Sequence, residues 1–94
     1  MERLNMLALS TGHVTKDTAE LMDNNTIDGV ILYNKDNAGW FVYIPEKCDF
    51  DELKGSDCPS DLYQCMKFAR DNGCDWLMFD CGVDVIDDLP VYNW

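Results

Sequence analysis

The segment GVILYNKDNAGWFVYIP, residues 29–45, holds two β-branched and aromatic runs separated by Asp36, Asn37 and Ala38 and bounded by Gly39 and Pro45. Such runs favour the pleated, half-buried environment of a strand, and their short polar separation reads as an antiparallel hairpin. In the second run Trp40, Val42 and Ile44 point to one side and Phe41 and Tyr43 to the other, because successive strand side chains alternate.

Working outward, RLNMLALS (3–10) reads as a largely buried strand that STGHVT interrupts. Thr15 is a good N-cap for a helix running to about Asn24: Asp17 and Glu20 lie in its positive first turns, and Val14 with Ala19 is placed for a hydrophobic staple. Beyond the hairpin, EKCDFDELKGSDC (46–58) reads as a polar, acidic connection. Pro59 then suits the first turn of a helix whose stripe is Leu62, Cys65, Met66 and Ala69, with Gly73 as its left-handed C-cap. CDWLMF (74–79) is a fourth strand, followed by the turn DCGVD and by VIDDLPVYNW (85–94) as a short strand or tail.

This order predicts one α+β domain over residues 1–94, a ferredoxin-like βαββαβ fold. Its four-stranded antiparallel sheet would run 4-1-3-2 with two helices on one face. The fourth strand would then be an edge, and Leu89, Val91 and Trp94 of the tail would fold back over that edge or over the bare face.

A 47% hydrophobic fraction places the chain among folded proteins. Its longest apolar runs are far shorter than the roughly 20 residues a bilayer span needs. MERLNMLALSTGH does not read as a signal peptide, so a cytoplasmic location is expected. The five cysteines are odd in number and form no C-x-x-C pair, which suits reduced thiols better than a disulfide or zinc scaffold. No cofactor or metal site is predicted: Asp80 and Asp84 lack the spacing of a calcium loop. His13, the single histidine, falls in no recognisable catalytic motif.

Charge is the outlying property. Eighteen acids against seven bases give −11, with −3 carried up to Pro45 and −8 from Glu46 onward. Direct nucleic-acid binding and anionic membranes are disfavoured, because both demand cations. Asp49, Asp51, Glu52, Asp71, Asp75, Asp80, Asp84, Asp87 and Asp88 are the predicted partner-binding residues, an acidic surface imitating a row of phosphates.

FARDNGCDWLMFDCGVDVIDDLPVYNW, with LSTGHVTKDTAELMD and GWFVYIPE, resembles a domain-of-unknown-function family of small acidic proteins from bacteriophages, plasmids and other mobile elements of proteobacteria. Members usually carry a D-x-D-G turn after the last strand, whereas Asp80 here precedes Cys81 and Gly82. The resemblance implies a mobile-element setting and no established active site.

The function expected from charge and setting together is non-enzymatic inhibition of a bacterial defence system, a CRISPR effector foremost, by contact with its basic nucleic-acid-handling surface. The alternative is a regulatory module or homodimer using the open sheet face, with Trp40, Phe41, Tyr43 or Trp94 as anchors.

Overall fold

The computed structural model describes every residue of the chain except 2 and 37. Four strands, β1 (Met6–Ser10), β2 (Ile31–Asn34), β3 (Gly39–Tyr43) and β4 (Trp76–Asp80), alternate with three helices, α1 (Lys16–Asp23), α2 (Phe50–Lys54) and α3 (Ser60–Asp71). The hairpin forms as its sequence predicts, with Tyr33 opposite Phe41. Thr15 caps α1, its hydroxyl accepting from the Thr18 N–H at 3.2 Å, and Gly73 ends α3 at φ +76°.

The sheet is mixed and not all antiparallel, in the order β1-β4-β3-β2 instead of 4-1-3-2. β4 runs parallel to β1 and antiparallel to β3, so it is central, and β1 and β2 are the edges. The cause lies in the segment between β3 and β4. A single helix crossing the sheet would return the chain to the far end and make the next strand run parallel to the last. Here α2 precedes α3, and the excursion comes back to the end it left: Tyr43 pairs with Trp76, and the Ile44 N–H donates to the Asp75 carbonyl at 2.7 Å. The helix α2 falls in the stretch expected to be a plain connection, because five residues are too few to display a helical period. Asp49 caps it, its carboxylate accepting from the N–H groups of Asp51 and Glu52 at 3.1 Å each.

The register sets two rows of side chains against the helices. Leu7, Leu77, Val42 and Leu32 form one row across all four strands, and Leu9, Phe79, Trp40 and Asn34 form the next. Phe79, Leu77 and Val42 are fully buried beneath the predicted α3 stripe of Leu62, Cys65, Met66 and Ala69, with Ala19 and Met22 of α1 beside it. Each large apolar side chain so buried contributes roughly 1.5–3 kcal/mol.

The tail does fold back, but onto a different target. Because β1 and β3 flank β4, that strand has no free edge to cover, and the unsatisfied carbonyls of the 3-10 turn Thr11–His13 and of Val14 take the tail instead. The Tyr92 N–H donates to Gly12 and the Trp94 indole N–H to Val14, both at 2.8 Å. His13 is buried beneath this strap. Its Nδ1 lies 2.9 Å from the Pro90 carbonyl and its Nε2 3.1 Å from the Ile86 amide nitrogen. Since that carbonyl only accepts and that amide only donates, the proton sits on Nδ1. Leu89 is buried, whereas Val91 and Trp94 stay half exposed.

Candidate interaction surfaces

The two rows facing away from the helices are apolar as well. Met6, Trp76, Tyr43 and Ile31 line up across the sheet, followed by Ala8, Met78, Phe41 and Tyr33. Among the described residues no element covers them: Met6 and Ile31 are each 44% exposed and Tyr33 56%, while Phe41, Tyr43, Trp76 and Met78 are partly open. The Trp76 ring lies between two tyrosines, 5.1 Å from Tyr43 and 6.0 Å from Tyr33 by ring centroids. Leu4, Met6, Tyr33, Phe41 and Trp76 enclose a shallow depression of about 370 Å³ without polar walls. The face ends at the next row, where Asp80 accepts from Lys35 Nζ at 2.8 Å.

Of the four aromatic anchors proposed from the sequence, Phe41 and Tyr43 lie on this face. Trp40 is in the core, where its indole N–H donates to Asp23 at 3.0 Å, and Trp94 belongs to the strap. Sequence reasoning missed Met6, Ile31, Tyr33, Trp76 and Met78. Their signal is that β1, β2 and β4 are apolar at consecutive positions, and strands with only one covered face normally alternate with polar residues.

The nine predicted carboxylates lie on or beside α2, α3 and β4 and in the segment that follows β4. Asp75 and Asp80 flank β4 from opposite ends, five residues or roughly 16 Å apart. Three of the nine are matched by cations: Asp80 by Lys35 at 2.8 Å, Asp71 by Lys67 at 2.6 Å and Asp75 by Arg70 at 3.6 Å. The hydrogen bond from Lys35, aided by the Gly82 N–H, holds the Asp80 carboxyl below the usual carboxylate range. Asp49 is committed to capping α2, with Asp51 and Glu52 in the first turn of that helix. Asp84, Asp87 and Asp88 share the exposed segment after β4, and no ion pair engages them among the described residues.

Burial decides the protonation of two of the five thiols. Burial, and then the nearby Asp61 charge, push the Cys65 thiol up to about 12 and the Cys58 thiol up to about 11, so both stay protonated at neutral pH. His13 has both ring nitrogens engaged by the strap and none free to serve as a base. Among the described residues no three His, Cys, Asp or Glu side chains are grouped to hold a metal ion, and no helix is long and apolar enough to cross a membrane.

Compared with known proteins, the chain matches no curated sequence and no solved structure. One family model does match, described as the C-terminal domain of a family of unknown function, and it takes in residues 6–94. That span holds all four strands, all three helices and the strap, and the chain therefore belongs to the DUF5983 family.

Proposed function

We propose that this chain is a non-enzymatic protein-binding module that engages its partner through the open face of its sheet. The observation carrying this reading is the pair of uncovered rows, Met6–Trp76–Tyr43–Ile31 and Ala8–Met78–Phe41–Tyr33, eight side chains without a formal charge. Contiguous exposed apolar surface costs solubility, and on folded proteins it marks places where another molecule sits. Trp and Tyr at its centre are the residue types that anchor interfaces.

A second reading, inhibition of a phage-targeting or plasmid-targeting defence complex such as a CRISPR effector, is favoured by Asp84, Asp87 and Asp88. They lie exposed on one segment with no ion pair among the described residues, and with the net −11 they would steer the molecule toward a basic surface.

A pull-down from bacterial host lysate with three tagged proteins separates the two. The Met6→Glu/Tyr33→Glu variant loses the wild-type partner and the Asp84→Asn/Asp87→Asn/Asp88→Asn variant retains it, if the sheet face makes the contact. The reverse pattern assigns the function to the acidic segment.

A further inference from the structure

We infer that the chain carries a second binding site, on the helix side of its sheet, for a primary ammonium group borne on an aromatic or aliphatic stem. It lies across the sheet from the open face and works independently of it.

Topology makes the recess. β1 and β4 are parallel neighbours, so Ser10 and Asp80 end side by side, and beyond them the chain goes two ways, through Thr11 toward α1 and through Cys81 toward the strap. Parallel neighbours whose chains part at their carboxyl ends leave a crevice there, the usual seat of ligands in open α/β sheets. Here it measures about 380 Å³, and Thr11, Cys81, Trp40, Trp94 and Asp23 at the end of α1 are among its walls. Small-molecule sites run from about 300 to 1,000 Å³.

Both indoles are fixed in place. The Trp40 N–H donates to Asp23 Oδ1 at 3.0 Å and its ring packs at 73° against Phe79, while the Trp94 N–H donates to the Val14 carbonyl. Side chains held this way lose little freedom when a ligand arrives.

Charge selects the ligand. Asp23 is the carboxylate of the wall, and among the described residues no lysine or arginine lines the crevice. Asp23 also closes α1, where the helix dipole is negative and favours a cation, yet the last turn holds none. The lysines nearest in sequence leave it unmatched: Lys35 pairs with Asp80 on the open side of the sheet, and Lys16 stands seven residues back along α1, roughly 10 Å away. Glu20, one turn before Asp23, adds to the negative potential. Indole rings attract ammonium groups as well. Because the Trp40 indole occupies one Asp23 oxygen, the other suits a compact ammonium better than a two-pronged guanidinium.

The test uses three compounds of one skeleton, phenylethylamine, phenylethanol and phenylacetate, which carry a cation, no charge and an anion. Indole N–H resonances report the place, since Trp40 and Trp94 line the crevice while Trp76 lies on the opposite face of the sheet. Phenylethylamine is expected to shift Trp40 and Trp94 and to leave Trp76 in place, with phenylethanol about tenfold weaker and phenylacetate weaker still. Asp23→Asn keeps an oxygen for the Trp40 indole, so its melting temperature should hold while the amine falls to the level of the alcohol. If that variant is less stable, the three compounds on the wild-type protein decide. Blocked lysine, α-N-acetyl-lysine methylamide, separates the sources: tighter binding than phenylethylamine assigns the site to a partner's lysine side chain, and weaker binding assigns it to a free amine.

Equal binding of amine and alcohol overturns the site, and so does a folded Asp23→Asn variant that still prefers the amine. No shift of either crevice indole at millimolar amine overturns it as well. Shifts at Trp76 alone put the compounds on the open face, which sinks the crevice and leaves the sheet-face reading standing.

Discussion

Asp61 on α3 accepts the Thr18 hydroxyl of α1 at 2.8 Å, while its other carboxylate oxygen takes the backbone N–H of Thr15 at 2.7 Å. One buried carboxylate thus finishes the N-terminus of a helix belonging to a different part of the chain. Two charge-assisted bonds are at stake, and Asp61→Ala leaves a buried donor orphaned. The expected loss is about 2–4 kcal/mol in urea denaturation. A loss below about 1 kcal/mol would mean that water replaces the carboxylate.

Gly39 opens β3 at φ +151°, and a Cβ there would lie 1.7 Å from the Phe79 carbonyl oxygen. That oxygen belongs to the backbone of the central strand and cannot swing aside. Gly39→Ala is expected to cost at least about 3 kcal/mol or to abolish folding, whereas Gly29→Ala and Gly73→Ala, which meet nothing within 4 Å, cost about 1 kcal/mol from their positive φ. Circular dichroism melting curves of the three variants give the comparison directly.

How much of this was legible beforehand differs by the range of the interaction. The hairpin, the Thr15 cap, the α3 stripe and Gly73 are written in residues near one another, and the structure has them where the sequence puts them. The pairing of β1 with β4 joins residues some seventy positions apart, Leu7 to Leu77, and no local pattern encodes it. Charge counts along a chain likewise say nothing of Lys35 reaching Asp80 across the sheet end.

His13 gives the strap two hydrogen bonds from one ring. His13→Ala removes both and opens a cavity beneath the strap, with an expected cost of about 2–4 kcal/mol. The effect should be local before it is global. Amide exchange at Ile86 and Tyr92 accelerates more than at Leu77 or Val42, and Trp94 emission moves toward that of free tryptophan. Uniform acceleration throughout the sheet would contradict a strap role.

The thiols predict an alkaline limit. Cys58 and Cys65 hold their protons in the fold up to about 11 and about 12, whereas an unfolded cysteine releases its proton at its ordinary value of 9.0. Between those values the unfolded chain binds fewer protons than the native one, so stability is intact below about pH 9 and declines as pH rises through this window. Denaturation midpoints at pH 8 and pH 10.5 should differ, and Cys65→Ala should reduce that difference. At pH 8 a thiol reagent should label exposed Cys81 first and leave Cys65 untouched until the protein unfolds.

Asp80 works in the opposite direction. Its carboxyl titrates below the ordinary value of 3.8, so the Lys35 pair contributes above that value and its contribution disappears as pH falls through the lowered one. Asp80→Asn is expected to flatten the acid limb of the stability profile and to leave the neutral region nearly unchanged, because the pair is solvent-accessible and weak.

Placing β4 in the middle of the sheet also sets a timetable for synthesis. β1 has β4 as its strand neighbour, so the first strand of this sheet to leave the ribosome waits for the fourth before it can pair, and the hairpin β2–β3 meanwhile exposes both of its faces. Closing so wide a sequence separation slows folding and leaves greasy strands unprotected in the interval. The nascent protein is therefore expected to lean on chaperones until residue 80 has emerged, and translation arrested before that point should yield an insoluble product.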